Sequence, residues 1–313
     1  MNILYIAPKY EGGIGGHAKR VAEKLHENNL SVKLMQVPHL PIKNLKNPTF
    51  TIIGSVKAKL EHNEYDVVHA WNVPSAFIMK KIKSRKKILS IHGNYGAQIE
   101  KIHSKFAEIL GKKAELEALK IPDILTTDSK FVKKYYKEKF DADFLYLPAP
   151  LDIHKFKNIE KNKEKKNQII YIGRDSFEKG IDILKSAENK INCSVKYFTN
   201  STWEDTMMEL SQSKILIVPS RMESLPQVIK EAFFLKIPVI ATNVGGIPEI
   251  VKNNENGILI EPENPLKLAN TVNDLLLDDI MQKKLSENAF NFVTKNFSWD
   301  ALLPLYLSLY RDN

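Results

Sequence analysis

The feature that most constrains the fold is a series of short apolar, largely β-branched runs separated by helical patterns along the whole chain. In the first half they stand at Asn2 to Ala7, Ser31 to Val37, Asp66 to Ala70, Lys87 to Ile91, Ile124 to Thr127 and Phe144 to Leu147. In the second half they stand at Ile169 to Gly173, Ser194 to Phe198, Lys214 to Val218, Pro238 to Thr242 and Gly257 to Ile260. Continuous apolar runs of this length read as strands buried on both faces, and parallel strands need crossover connections, usually helices. The alternation predicts an α/β protein with doubly wound parallel sheets. At 313 residues the chain exceeds one ordinary core, so two domains are expected. Asn158 to Gln168, NIEKNKEKKNQ, is charged, has no apolar face and reads as the linker. The expected division is a first domain over 1–157 and a second over 158–297.

Charge separates the two halves. The net charge of +9 is the sum of +10 before residue 150 and −1 after it, so any anionic partner surface belongs to the first half. Its cations gather in MKKIKSRKK, from Met79 to Lys87, and in SKFVKKYYKEKF. In the latter, Phe131, Val132, Tyr135, Tyr136 and Phe140 share one helical side, with Lys130, Lys133, Lys134 and Lys137 opposite. An anionic membrane surface is the expected partner, a solvated basic face is the plain alternative, and nothing points to nucleic acid. Only five basic residues are arginine, and Arg174 and Arg221 each stand in the loop that follows a predicted strand. The single cysteine, Cys193, excludes an internal disulfide. No apolar run reaches the roughly 18 residues of a membrane span, and FSWDALLPLYLSLY near the end reads as a helix broken at Pro304. The opening MNILYIAPKYEGG reads as a first strand and not as a signal peptide, so a cytoplasmic setting is expected.

The most informative stretch is PSRMESLPQVIKEAFFLKIPVIATNVGGIPE, between two predicted strands. Ser224 with Gln227 fits a capping box, Pro226 is tolerated in a first turn, and Val228, Ile229, Ala232, Phe233 and Leu235 fall on one face. At about 100° per residue Glu231 lies at the border of that face and Lys230 points outward. Glu223 stands just before the helix. Carboxylates so placed can reach a ligand at the C-terminal edge of a parallel sheet, although spacing alone reads equally as two solvated acids.

Three further places carry chemistry. Gly13, Gly15 and Ala18 fit a dinucleotide-binding spacing, but Gly13 lies six residues beyond the strand and the second strand ends without an acid for a ribose. That reading is rejected, although glycines here let backbone N–H groups approach an anion. His92 directly follows the fourth strand, as a ligand contact or a packing histidine. In GRDSFEKG, Arg174 offers a forked contact to phosphate oxygens and Lys179 a second positive charge.

The spacing E-x7-E between Glu223 and Glu231, followed by PVIAT and GGIPE, resembles the donor-binding region of retaining GT-B glycosyltransferases of family 4. G-R-x4-K-G at Arg174 and Lys179 and the strand-H-G setting of His92 resemble the same family, as does LDIHKF before the linker. The resemblance implies two Rossmann-like domains with parallel sheets facing a central cleft, and a last helix, within 298–313, that returns to the first domain. It also implies transfer of a hexose from a nucleoside diphosphate sugar to an acceptor hydroxyl with retention, in cell-surface glycan or glycolipid synthesis. The acceptor would be a sugar or a lipid-linked group, and the setting the inner face of a membrane. Gly13 and Gly15 would touch the donor phosphates and His92 the transferred sugar. Arg174, Lys179 and the helix N-terminus at Ser224 and Leu225 would hold the leaving diphosphate, making a metal or other cofactor unnecessary. Glu223 would grip the sugar hydroxyls and Glu231 the ribose. From Ile191 to Ser213 the chain departs from the family, with one strand-helix unit where two are usual, so the base is not implied. The alternatives are a nucleotide-sugar epimerase of the same fold and a non-catalytic nucleotide-sugar-binding subunit.

Overall fold

The computed structural model describes residues 1–9, 13–40, 42, 45–93, 105–159 and 165–311. The chain divides into two compact units, Met1–Leu147 with Leu305–Asn313, and Pro148–Pro304.

The first unit is built on β1 (Asn2–Pro8), β2 (Ser31–Val37), β3 (Tyr65–Ala70), β4 (Ser84–Ser90), β5 (Ile124–Thr127) and β6 (Phe144–Tyr146). They form a parallel sheet in the order β2-β1-β3-β4-β5-β6. Between them run α1 (Gly13–Glu27), α2 (Lys46–Lys59), α3 (Val73–Met79), α4 (Lys105–Leu119) and α5 (Lys130–Phe140). Ile3 to Ala7 are fully buried, as a central strand covered on both faces requires. The sheet interior is not wholly apolar. Tyr5 and Tyr310 hydroxyls bond at 2.6 Å, Tyr310 bonds Nδ1 of His69 at 2.7 Å, and His69 Nε2 bonds Ser90 Oγ at 2.7 Å. Ser90 in turn bonds Thr126 Oγ1. Tyr5 and His69 thus share Tyr310 of the last helix as a partner, His69 to Ser90 and Ser90 to Thr126 link neighbouring strands, and the row anchors the end of the chain to the first sheet.

The second unit has β7 (Gln168–Ile172), β8 (Ser194–Phe198), β9 (Ile215–Val218), β10 (Val239–Thr242) and β11 (Ile258–Ile260), parallel in the order β11-β10-β9-β7-β8. Its helices are α6 (Ile181–Ala187), α7 (Trp203–Gln212), α8 (Gln227–Phe234), α9 (Ile247–Ile250), α10 (Pro265–Leu276), α11 (Asp279–Phe297) and the start of α12 (Trp299–Arg311), whose residues from Leu305 on belong to the first unit. One strand-helix unit, β8 and α7, lies between α6 and β9, leaving β8 at the sheet edge.

Three local expectations are corrected. The Ser224–Gln227 capping box does not set the start of α8: Pro226, in extended backbone, is the N-cap and the helix opens at Gln227. Proline lacks an N–H that an N-cap need not donate, so the start is displaced onto it. Lys230 does not point outward. It is fully buried, donating to the Ala149 carbonyl at 2.6 Å with its ammonium 5.1 Å from the Phe297 ring centroid. Residues 149–151 lie over α8 here, with Gln227 donating to the Pro150 carbonyl and Leu151 N–H to the Phe297 carbonyl. Pro304 does not break the last helix, which runs from Trp299 to Arg311 with the proline on its exposed side. There water can serve the carbonyl one turn back that loses its N–H.

Candidate functional site

In the second unit three loops follow adjacent strands and converge on Glu223. The loop after β7 carries Arg174 and ends in a 3-10 turn, Phe177–Lys179, closed by Gly180 at φ 65°. A Cβ on Gly180 would stand 2.0 Å from the Pro219 carbonyl oxygen, so glycine is required where this loop crosses the one after β9. Backbone bonds from the Arg221 and Met222 N–H groups to the Glu178 carbonyl stitch the two together. The third loop, after β10, carries Gly245 at φ 55°, and a Cβ there would lie 1.9 Å from the Glu223 carbonyl oxygen.

Glu223 sits at the junction. Its Oε1 accepts from Lys179 Nζ at 2.6 Å and from Ser220 Oγ at 2.9 Å, and its side chain is 10% exposed. Lys179 and Glu223, assigned separately from sequence, are therefore in contact. Arg174 stands apart, 75% exposed and paired with Glu178 at 3.0 Å. Leu225 is buried and Ser224 half-buried. Glu231, one turn into α8, accepts from Trp203 Nε1 at 3.0 Å through Oε1. Trp203 opens α7, within the stretch where the sequence departs from the family pattern.

Sequence reasoning missed what Arg221 does. It makes a fork with Asp182, both bonds at 2.7 Å, and a second with Glu263, donates to the Phe177 carbonyl at 2.8 Å, and lies 4.2 Å from the Phe177 ring. These acids raise its pKa, and its fork holds the Asp182 carboxyl below its ordinary value. Arg221 thus fixes the loop bearing Glu223 and has its charge neutralised. The signal was its place one residue beyond Pro219-Ser220, but its partners lie about 40 residues away on either side.

In the first unit His92 follows β4 as expected. Its Nδ1 lies 3.2 Å from Asp128 Oδ2, and each side chain is 10% exposed. Its ring stacks on Trp71, with centroids 5.7 Å apart and planes 5° from parallel, and meets His17 edge-on at 5.5 Å. Trp71 in turn stacks on His69 at 4.6 Å. Gly13 begins α1 at φ 53° and Gly15 is buried on it, while residues 10–12 of the glycine-rich loop lie outside the described residues. So do residues 160–164 of the predicted linker. Among the described residues no group of acids, histidines and cysteine has the geometry of a metal site.

Residues 185–292 match the family model described as Glycosyl transferases group 1. An uncharacterized glycosyltransferase of Methanocaldococcus jannaschii is 28% identical over 87% of this chain and 92% of its own length. Among solved structures, sucrose-phosphate synthase from Thermosynechococcus elongatus superposes with a TM-score of 0.81 at 18% identity, covering 99% of this chain and 98% of that one. Anabaena HepE in complex with UDP-glucose does so with a TM-score of 0.74 at 14% identity, covering 99% of each. The fold, two Rossmann-like domains with parallel sheets, matches these GT-B structures. The family match and the relative's name favour a transferase over an epimerase or a binding subunit.

Proposed function

We propose that this chain, a transferase enzyme with a group 1 glycosyl transferase segment over residues 185–292, moves a hexose from a nucleoside diphosphate sugar to an acceptor hydroxyl with retention of configuration. The observation that carries the reading is the convergence on Glu223, at the C-terminal edge of a parallel sheet, where an ammonium and a hydroxyl hold one largely buried carboxylate and a glycine turn packs against the backbone carbonyl of the same residue. HepE, of the same fold, is in complex with UDP-glucose.

Cleaving the bond between a sugar and diphosphate leaves an oxocarbenium-like sugar and a departing anion. Lys179 and Arg174 are assigned to that anion, with the N-terminal end of α8 at Gln227 and the start of α1 at Gly13 and Gly15. Both cations rest on carboxylates, Glu223 and Glu178, so an incoming diphosphate would share or replace these partners. Glu223 is assigned to the sugar hydroxyls, beside Ser224 and Leu225, and His92 to the transferred sugar. Glu231 is assigned to the ribose, oriented by the Trp203 N–H. A panel of nucleotide sugars, scored by hydrolysis and thermal stabilisation, tests the reading.

The reading extends to glycan or glycolipid synthesis at an anionic membrane face, with a sugar or lipid-linked acceptor. Among the described residues no helix is long and apolar enough to cross a membrane. Support comes from α2, where Ile52 is 64% and Val56 56% exposed, with Leu45 and Leu60 exposed at its ends and Lys46, Lys57 and Lys59 along it. Helix α5 supports it less than its sequence suggests: Lys134 pairs with Glu138, and Lys137 with Asp141 and Asp143. Lys80, Lys81 and Lys83, with Arg85 and Lys87 of β4, line a pocket of about 680 Å³ together with Asp66 and Glu64.

A further inference from the structure

Three consecutive strands of the first sheet end in three side chains that meet. Trp71 follows β3 directly, Asp128 follows β5 directly, and His92 comes two residues after β4. The meeting is dictated by register. Ser90 pairs with Thr126 across β4 and β5, and the Ile91 N–H donates to the Thr126 carbonyl, so positions 92 and 128 leave the sheet side by side. Asp128 is held at the mouth of α5, next to Ser129, whose hydroxyl caps that helix. The Trp71 ring, stacked within 5° of parallel, fixes the plane of the imidazole.

A carboxylate only accepts hydrogen bonds, so the contact from Asp128 Oδ2 to Nδ1 requires the proton on Nδ1. In the neutral ring Nε2 is then a lone-pair acceptor, and among the described residues this buried atom has no hydrogen-bond partner. We infer that Asp128 is a positioning residue: it holds His92 in its Nδ1–H tautomer, so that Nε2 accepts a hydrogen bond from a hydroxyl of the transferred sugar. The second half rests on the assignment of His92 to the sugar made above. The first half rests only on the dyad. Among the described residues, the titratable groups placed near the ring are His17 of α1, edge-on at 5.5 Å, His69 beyond Trp71, and Tyr306 of α12, whose hydroxyl is 3.4 Å from His17 Nε2. None of these touches His92 Nδ1.

The experiment is long-range 1H–15N NMR of the histidine rings in the full-length protein at neutral pH, for wild type and Asp128→Asn, with His92→Gln to assign the signals. In the wild type Nδ1 should carry the pyrrole-like shift and Nε2 the pyridine-like shift. Asp128→Asn, whose amide can donate to Nδ1, should exchange the two. A wild-type ring protonated on Nε2 overturns the inference, and that measurement stands even if the variant does not fold. The paired kinetic readout is donor-sugar hydrolysis. Asp128→Asn should lower kcat/KM roughly ten- to hundredfold, the worth of one charge-assisted hydrogen bond, with binding of the free nucleoside diphosphate unchanged. Unchanged turnover in both Asp128→Asn and His92→Gln, with the tautomer as stated, overturns the sugar contact while leaving the dyad intact. An unaltered tautomer with full activity in Asp128→Asn overturns the positioning role.

Discussion

Lys179 Nζ and Glu223 Oε1 are 2.6 Å apart, joining a residue of the loop after β7 to one of the loop after β9. The pair depends on a third loop, because Gly245 leaves no room for a Cβ against the Glu223 carbonyl and the Gly246 N–H bonds that carbonyl. Gly245→Ala should therefore displace Glu223 and act like a Glu223 substitution on turnover. The positive φ adds strain of roughly 1–3 kcal/mol, visible as a lower Tm. Wild-type kinetics in Gly245→Ala would separate the glycine turn from the site.

The Arg174 guanidinium is exposed and, among the described residues, hydrogen-bonds only Glu178, while the bond from the Tyr171 hydroxyl goes to the Arg174 backbone carbonyl, so Arg174→Ala should fold normally. If the guanidinium meets the departing diphosphate, its loss costs on the order of 3 kcal/mol, about a hundredfold in turnover at saturating donor. Turnover near wild type would remove Arg174 from the mechanism.

Most strands were legible because each apolar run is too short for a helix and is bounded by turn residues. Ser31–Val37, Ile124–Thr127 and Ser194–Phe198 have the limits expected of them. β4 starts earlier, at Ser84, because Ser84, Arg85 and Lys86 extend the strand with polar residues that no hydrophobic pattern marks. Lys230 was misplaced because a helical wheel assigns a charged side chain to water. What buries it is residues 149–151, some 80 positions earlier, and nothing local to α8 encodes their return. Glu223, Glu231, Arg174 and Lys179 were singled out through motif spacing. The Lys179–Glu223 contact, the Trp203–Glu231 bond and Asp128 beside His92 were not, since each joins segments that follow different strands and depends on strand order and register.

Glu231 and Trp203 make a separable prediction about ribose. Glu231→Ala should weaken binding of the free nucleoside diphosphate, and Trp203→Phe, which removes only the Nε1 donor, should do so to a smaller degree. A 2′,3′-dideoxy nucleotide should bind wild type and both variants about equally by calorimetry. Loss of affinity for that analogue as well would make Glu231 a structural residue of α8.

His69 makes the first unit acid-sensitive. Burial, and next the electrostatic influence of the neighbouring His92 ring, hold its pKa well below the ordinary histidine value. The folded chain therefore refuses a proton that the unfolded chain takes up near pH 6.5. The stability contributed is fully present above that pH and is lost as pH falls below it. Tm measured from pH 8 to pH 5 should fall less steeply in His69→Gln than in wild type. Equal slopes would mean that His69 is not a source of the acid sensitivity.

The membrane reading predicts that co-sedimentation with lipid vesicles rises with the anionic lipid fraction and falls with salt. Ile52→Glu with Val56→Glu should abolish it, and changing Lys80, Lys81, Lys83 and Arg85 to Gln should reduce it. Equal sedimentation with neutral and anionic vesicles would leave the basic surface merely solvated.

The central claim is sugar transfer from a nucleotide donor, and its most direct test is chromatography of products after incubation with a panel of nucleoside diphosphate sugars. The account predicts that at least one donor raises the Tm and is split into nucleoside diphosphate and a hexose, slowly to water and with retained anomeric configuration. Glu223→Gln should lose that cleavage. A donor returned intact but epimerised, or a panel in which no donor is cleaved and none raises the Tm, would contradict it.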